Sequence, residues 1–105
     1  TISPIFNGFY KVKSNNNNLY GFINSRIIAL TPCKYTSVQP FNTKGYATVC
    51  ISTNGINQYG VIDTNGVEVV APEYRGCYFK VNDPCNIILN KDNKQNIIFK
   101  IPNCN

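Results

Sequence analysis

The chain is 105 residues long, with 43% hydrophobic and 14% charged residues and a formal net charge of +5. A chain of this length forms one small domain or a slice of a longer array. Its basic residues are spread along the whole sequence without a basic run or an RNA-binding motif, so we expect no specific binding of nucleic acid. Histidine is absent, which removes the commonest general base and the usual zinc ligand and argues against an enzyme, a metal site or a cofactor.

The cysteines point to an oxidising compartment, because five of them stand in a small chain with few charges and form no CxxC pair. We therefore expect an extracellular or cell-surface location. The pairing cannot be deduced from the sequence, and an odd number leaves at least one thiol free or bonded to another chain. The cysteines are Cys33, Cys50, Cys77, Cys85 and Cys104.

The sequence begins at Thr1 rather than at Met, so we expect a processed product or a fragment. It contains no signal peptide and no apolar stretch near the ~18 residues that a membrane-spanning helix requires, and we expect no membrane span. If the protein is exported, its targeting segment has already been removed.

The local patterns predict short β-strands separated by turns. Asn, Thr, Tyr, Ile and Val, which favour turns and strands, are abundant, and no window has apolar residues at helical spacing behind a capping residue. We therefore expect an all-β, antiparallel fold. In chain order, the predicted strands are 9–13, 19–24, 27–30, 46–52, 58–63, 68–70, 77–81, 87–90 and 96–100.

Prolines and Asn-Gly pairs set the predicted connections. The stretch 31–43 contains Pro32 and Pro40 and is predicted to be a crossing loop, because proline cannot donate to a sheet ladder. The segment 53–55 predicts a turn. The strongest hairpin signal is at 64–66, Thr-Asn-Gly, since Asn-Gly supplies the positive φ angles of a two-residue turn.

The chain repeats itself with a period of 39 residues. The segment 19–24, Leu-Tyr-Gly-Phe-Ile-Asn, returns as 58–63, Gln-Tyr-Gly-Val-Ile-Asp, and Tyr35 returns as Tyr74. Such a fixed period is the signature of a repeat architecture, in which each unit packs on its neighbours. The sequence accordingly divides into a partial unit 1–18, full units 19–57 and 58–95, and a partial unit 96–105.

The order of elements within a unit is distinctive. Residues 59–66 read Tyr-Gly-Val-Ile-Asp-Thr-Asn-Gly and 69–74 read Val-Val-Ala-Pro-Glu-Tyr; the preceding unit has Tyr-Gly-Phe-Ile-Asn, then Pro32 and Tyr35, then Tyr-Ala-Thr-Val. This order resembles the WG-repeat family, in which a Trp-Gly pair opens the strand. Both Trp positions are Tyr here, and the third unit near 96–99 lacks the aromatic-Gly pair. The resemblance implies a β-repeat with an interaction role and no common reaction.

The phase of the repeat makes the chain open with the second half of a unit and close after the first strand of a new one. Terminal repeats need polar caps, yet residues 97–101 are nearly all apolar, which is a liability at an exposed sheet edge. Three arrangements stay open: the two ends pair and close the sheet, one chain docks head to tail on the next, or the chain is cut from a longer array. The head-to-tail arrangement assigns assembly to Ile2, Ile5, Phe6, Ile97, Ile98, Phe99 and Ile101.

The sequence thus predicts a non-enzymatic structural, assembly or protein-interaction module, most concretely an extracellular subunit that forms a filament with copies of itself. It contains no Gly-rich phosphate loop and no nucleophile elbow. Asp63 ends a repeat strand at the position that Asn24 holds in the other unit, which suits a turn cap better than a catalytic acid.

The alternative is a ligand-binding module for a glycan or cell-surface polymer. Repeated aromatic faces could stack on sugars, although repeat-defining residues more often pack between units. The recurring aromatic residues are Tyr20, Tyr35, Tyr59 and Tyr74.

Overall fold

The computed structural model of the protein describes residues 8–26, 28–42, 44–91, 96–102 and 104, and the backbone of 2–6. The described residues form strands and turns without a helix, and the predicted all-β, antiparallel fold is confirmed. The strands are β1 (Ile2–Phe6), β2 (Phe9–Lys13), β3 (Tyr20–Asn24), β4 (Ser37–Val38), β5 (Tyr46–Thr53), β6 (Ile56–Asp63), β7 (Glu68–Tyr74), β8 (Gly76–Lys80), β9 (Asp83–Asn90) and β10 (Asn96–Lys100).

The strands form three antiparallel sheets, each built from strands that follow one another along the chain. Sheet 1 contains β1-β2-β3, sheet 2 contains β4-β5-β6-β7, and sheet 3 contains β8-β9-β10, each in that spatial order. Consecutive antiparallel strands need only short connections, which the many Asn and Gly turns supply. The sheets therefore span the boundaries of the sequence units, since β2 lies in the opening partial unit and β3 in the first full one.

The period of 39 residues is reproduced in the strand register. Tyr20 pairs with Tyr35 beside β3, and 39 residues later Tyr59 pairs with Tyr74 between β6 and β7. The sequence repeat is therefore a structural repeat with the same pairing. A second pair of bridges follows the same rule, Ile23 with Ala29 and Ile62 with Glu68.

The glycine of each aromatic-Gly pair lies where the following Pro segment crosses the strand. A Cβ atom on Gly21 would lie 2.8 Å from the carbonyl oxygen of Pro32, and one on Gly60 would lie 2.7 Å from the nitrogen of Pro72. Backbone atoms cannot yield to so close a contact. Only glycine leaves room for the Pro segment where it crosses the strand. The aromatic-Gly pair and the Pro-x-Tyr segment therefore occur together.

Side-chain caps close the turns of the repeat. The Oδ1 atom of Asp63 accepts hydrogen bonds from the N–H groups of Asn65 at 2.9 Å and Val67 at 3.0 Å. Asn24 makes the same two bonds, to the residues two and four positions later, at 2.9 and 3.1 Å. The geometry agrees with the turn-capping role predicted for Asp63. Asn42 makes them too, at 2.9 and 3.0 Å, ahead of β5.

Two of the three Asn-Gly pairs, at 54–55 and 65–66, form different turns. Between β5 and β6 the turn has two residues, with φ of 54° at Asn54 and 80° at Gly55. The hairpin predicted at 64–66 also forms, but its turn is longer, since the N–H of Asp63 donates to the carbonyl of Val67 at 3.0 Å. The pair that gave the strongest signal therefore does not make the two-residue turn.

Several predicted boundaries were wrong. The strand predicted at 27–30 is reduced to one bridge at Ala29, with residue 27 outside the described residues, and the loop predicted at 31–43 contains β4. β7 continues through Pro72, and it does so at a sheet edge, where the missing N–H is not needed. β9 begins at Asp83, earlier than predicted, and β1 was not among the predicted strands.

Two hydrophobic cores lie between the three sheets. Core 1 joins sheets 1 and 2, and core 2 joins sheets 2 and 3. The buried residues of core 1 are Phe22, Tyr35, Val38, Phe41, Ala47, Val49 and Ile62. Those of core 2 are Val61, Val70, Cys77, Ile87, Leu89 and Ile101.

Sheet 2 is packed on both faces because successive side chains of a strand point to opposite sides. In β6, Ile62 enters core 1 and its neighbour Val61 enters core 2. We call the face of a sheet that packs on the preceding sheet its leading face, and the opposite face its trailing face. Ala47, Val49 and Ile62 thus form the leading face of sheet 2.

Candidate functional site

The apolar residues predicted for assembly lie on, or directly after, two edge strands. β1 is at the edge of sheet 1 and β10 is at the edge of sheet 3. Because these strands belong to different sheets, the ends of the described chain do not pair to close a sheet. β1 contains Ile2, Ile5 and Phe6, whose side chains lie outside the described part of the structure.

The residues predicted at the C-terminal end divide into two groups. Ile97 and Ile98 are 50% and 62% exposed. Phe99 is half-buried against core 2, and Ile101 is a fully buried member of it. The first two are therefore accessible to a partner, whereas the other two hold sheet 3 in place.

Ile98 belongs to an apolar row on the trailing face of sheet 3. It pairs with Ile88 across β9, which pairs in turn with Tyr78 of β8. Tyr78 and Ile98 are each 62% exposed, and Ile88 is half-buried. The row crosses all three strands of the sheet, so it offers a continuous apolar strip to a partner.

The register shows what normally covers this strip. Ile98 occupies the position that Val61 holds in sheet 2 and Phe22 holds in sheet 1. Phe22 and Val61 are at most 1% exposed because the next sheet covers them. The same register places Asn96 and Ile97 at the aromatic and Gly positions, which locates the change noted in the third unit.

The leading face of sheet 1 is the counterpart at the other end of the array. On sheet 2 the three leading-face residues are fully buried by sheet 1. The residues at the same register positions of sheet 1 are half-buried, and no preceding sheet covers them among the described residues. They are Tyr10, Val12 and Ile23.

The recurring tyrosines pack between the sheets, as the simpler interpretation expected. Tyr35 is fully buried in core 1, Tyr20 packs against that core, and Tyr59 and Tyr74 pack against core 2. The outer part of the Tyr20 ring is covered by Lys11, whose Nζ lies 4.9 Å from the ring centroid, and Lys13 lies 5.9 Å away. These tyrosines therefore do not form the row of open stacking faces that repeated sugar binding would need.

Tyr59 has different surroundings from Tyr20. The register places Thr48 and Cys50 where sheet 1 has Lys11 and Lys13. These shorter side chains leave a cavity of about 270 Å³ between sheet 2 and the start of β8. Its lining residues are Gln39, Thr48, Tyr59, Arg75, Gly76, Cys77 and Tyr78.

A hydrogen bond ties the first Pro-x-Tyr segment to sheet 2. The hydroxyl of Tyr35 donates to Oε2 of Glu68 at 2.7 Å, and Nζ of Lys34 lies 3.1 Å from the same oxygen. Burial, with the hydrogen bond and the charge of Glu68 adding to it, raises the pKa of the Tyr35 hydroxyl above its ordinary value. Lys34 therefore forms an ion pair with Glu68 and does not activate the neighbouring Cys33. The Sγ atom of Cys33 instead contacts the carbonyl oxygen of Val12 at 3.8 Å.

The structure resolves the disulfide pairing that the sequence left open. Cys85 of β9 is bonded to Cys104, after β10, and Cys33, Cys50 and Cys77 are free. Burial raises the pKa of the Cys77 thiol to about 12. Cys77 is therefore protonated at neutral pH, a state in which it is a poor nucleophile.

Two further observations apply to the described part of the chain. No group of three or more Cys, Asp or Glu side chains there is gathered closely enough to hold a metal ion. Within the same residues, no helix has the length and apolar character needed to cross a membrane.

Sequence reasoning missed the residues that complete these surfaces. Tyr78 and Ile88 lie within unbroken apolar runs, Cys-Tyr-Phe at 77–79 and Ile-Ile-Leu at 87–89, and such a run does not say which face of the strand is covered. Thr48 takes the place of Lys11 only once the register of the two sheets aligns β2 with β5, so the loss of the lysine is not evident from the sequence period.

Comparison with known proteins agrees with the internal repeat. The family model described as the WG containing repeat matches residues 29–52 and 59–83. The second match begins at Tyr59, the aromatic position, and the first begins after Tyr20-Gly21. Neither the curated proteins nor the solved structures gave a match. With two matched segments, a doubled strand register and an all-β architecture, residues 29–52 and 59–83 of this chain are two repeats of the WG-repeat family.

Proposed function

We propose that the protein is a non-enzymatic structural and interaction module whose copies assemble head to tail. The trailing face of sheet 3 in one copy packs on the leading face of sheet 1 in the next. This contact repeats the packing of sheet 1 on sheet 2 and of sheet 2 on sheet 3. The observation that carries the proposal is the exposure of Ile98, whose equivalents in the other two sheets are buried by the sheet that follows.

The edge strand β10 lies beside the strip and offers a second point of contact to the next copy. It is hydrogen-bonded to β9 on one side only, and the unpaired backbone groups of an edge strand are a template for another chain. The strand is held in place at the open end of the β9–β10 hairpin, because the N–H of Ile101 donates to the carbonyl of Cys85 at 2.8 Å and Cys104 is bonded to Cys85. A preformed edge lowers the entropy lost on binding.

The geometry of such a contact favours a filament. Its two surfaces are different, so the contact is heterologous, and a heterologous contact that does not close into a ring propagates as an open fibre. A subunit of this kind suits an extracellular or cell-surface setting, where a disulfide such as Cys85–Cys104 persists.

The native mass of the chain tests the proposal. We expect light scattering to give a mass that grows with concentration from 11.8 kDa, and the Ile98→Lys variant to stay near 11.8 kDa, because a lysine on the strip must be desolvated for docking. Both proteins carry Cys33→Ser, which removes a half-buried thiol that could link chains.

Val67→Lys is the matched control. Val67 is 56% exposed, close to the exposure of Ile98, but lies in the turn between β6 and β7. We expect it to assemble as the parent does. A constant mass of 11.8 kDa for the parent up to about 1 mM, or assembly of Ile98→Lys equal to that of the parent, would overturn the proposal.

A further inference from the structure

The cavity beside Tyr59 corresponds to a space that is filled in the first repeat. In sheet 1, Lys11 lies over the Tyr20 ring with its Nζ 4.9 Å from the centroid. In sheet 2, the equivalent of Lys11 is Thr48, and about 270 Å³ stays open beside Tyr59. The two repeats thus share one backbone arrangement, with a side chain in the space in one and a cavity in the other.

The lining of the cavity combines aromatic rings with polar groups. Tyr59 is on one wall and Tyr78 on another, where the Tyr78 ring lies over Gly76, about 3.0 Å from where a Cβ atom of that residue would stand. Gln39 and Thr48 supply hydrogen-bonding side chains. A small number of polar groups among aromatic walls is the usual composition of a site for a small ligand.

The electrostatics of the cavity favour an anion. Arg75 carries the one formal charge among the described residues that line it. In the described part of the chain, Arg75 has no ion pair, and it lies on the exposed stretch between β7 and β8. A guanidinium group binds a carboxylate through two parallel hydrogen bonds, so a carboxylate on the ligand is its natural complement.

We propose that this cavity binds a carboxylated sugar, a hexuronate residue of an acidic polysaccharide. The sugar ring stacks on Tyr59 and Tyr78, because the negative face of an aromatic ring attracts the polarised C–H groups of a pyranose. Gln39 and Thr48 bond its hydroxyl groups, and Arg75 bonds its carboxylate. The site develops the alternative function, ligand binding, and does not require head-to-tail assembly. Tyr78 belongs to both the strip and the cavity, so the binding test is made on the monomer, with Ile88 and Ile98 unchanged.

A pair of ligands that differ only at the carboxylate tests the chemistry. Cellotriose and its C6-oxidised counterpart are titrated into the ¹⁵N-labelled protein, at a concentration where light scattering shows monomer, and amide shifts are followed by NMR. We expect the oxidised sugar to shift amides at Thr48 and at 75–78 and to bind at least about tenfold more tightly than cellotriose. Acetate alone is expected to bind at least about tenfold more weakly than the oxidised sugar, because it lacks the stacking ring.

The first repeat supplies the test variant. Thr48→Lys should place an ammonium over Tyr59 as Lys11 does over Tyr20, fill the cavity and remove binding of the oxidised sugar while the protein stays folded. Lys11→Thr is the matched control, and we expect it to bind as the parent does. Arg75→Gln, at an exposed position, should weaken binding of the oxidised sugar about tenfold and remove the preference over cellotriose.

Three outcomes would overturn the site. They are equal binding of the two sugars by the parent, unchanged binding in a folded Thr48→Lys variant, and unchanged binding in Arg75→Gln. If Thr48→Lys does not fold, Arg75→Gln still decides. Failure of assembly leaves these outcomes unaffected, because the titration is made on the monomer.

Discussion

Core 1 and core 2 occupy equivalent places in the repeat but are filled by different means. Core 1 buries Phe22 beside Phe41, with ring centroids 5.0 Å apart. Core 2 has the smaller Val61 at the position of Phe22, and its sheet is closed by the Cys85–Cys104 disulfide. The difference shows that this repeat preserves the backbone register and the position of the buried side chain. The size of that side chain, and the neighbours that fill the core around it, differ between the two cores.

The tyrosines of the two Pro-x-Tyr segments show the same contrast. Tyr35 is fully buried and donates to Glu68, whereas Tyr74 is half-buried with Nζ of Lys91 5.8 Å from its ring centroid. The first segment therefore depends on a buried polar contact and the second on a partly solvated ring. Substitutions at equivalent positions measure how far the two cores differ.

The largest change in the free energy of unfolding is expected when the side chain that each sheet packs against the next sheet is truncated. Phe22→Ala should lower the free energy of unfolding by about 3–5 kcal/mol, because it removes a whole ring from a filled core. Val61→Ala should lower it by about 2 kcal/mol, since fewer methyl groups are lost. Urea unfolding at a concentration where the protein is monomeric gives both values.

Ile98→Ala is the third member of this series and its control. Its side chain is 62% exposed, so we expect a change within about 0.5 kcal/mol in the monomer. A loss as large as that of Val61→Ala would mean that Ile98 is covered within a single chain. The strip on sheet 3 would then not be a free surface.

Sequence reasoning reached the repeat because its signals are local. Gly60, Asp63 and Pro72 each have one physical requirement, respectively a close backbone approach, a turn cap and an edge position. The spacing from the glycine to the turn cap is the same in both units, and the proline of the first unit is one residue out of step. The register follows from these positions. The strand pairing at Tyr20 and Tyr59 could therefore be expected from the sequence.

The candidate surfaces could not be predicted in the same way. Whether Ile98 is covered depends on which sheet face has a neighbour, and alternation in a strand does not tell the two faces apart. Ile101, which the sequence grouped with Ile98, is buried because it continues the β9–β10 ladder opposite Cys85 and lies on the face that packs into core 2. The cavity at Thr48 can be recognised only when the register of β2 and β5 is known, because that register shows that Thr48 replaces Lys11.

The second effect in size concerns the disulfide, which distinguishes core 2 from core 1. Cys85 and Cys104 are separated by 19 residues, and opening a loop of this length should lower the free energy of unfolding by about 3 kcal/mol. We expect the Cys85→Ala/Cys104→Ala variant to unfold at lower urea concentration, with no further change on adding reductant. Equal stability of the variant and the parent would show that sheet 3 is held by core 2 alone.

The smallest effect concerns the tyrosine pair and its pH dependence. Tyr35→Phe removes the hydrogen bond to Glu68 and should lower the free energy of unfolding by about 1 kcal/mol at neutral pH. Tyr74→Phe should change it by less than about 0.5 kcal/mol, since within the described residues its hydroxyl has no hydrogen bond. Equal losses would mean that the two repeats hold their Pro-x-Tyr segments alike.

At alkaline pH, the stabilities of Tyr35→Phe and Tyr74→Phe should depend on pH to different degrees. The pKa of Tyr35 is raised above its ordinary 10.0 by burial first and by Glu68 second, so above about pH 10 the unfolded chain loses a proton that the folded protein retains. The stability from this difference is fully present below pH 10 and is lost as pH rises towards the folded pKa. The parent and Tyr74→Phe should therefore lose stability between pH 10 and pH 11 more steeply than Tyr35→Phe. Cys77, whose pKa is raised to about 12, adds the same loss to all three proteins, so the difference between their slopes reports Tyr35 alone.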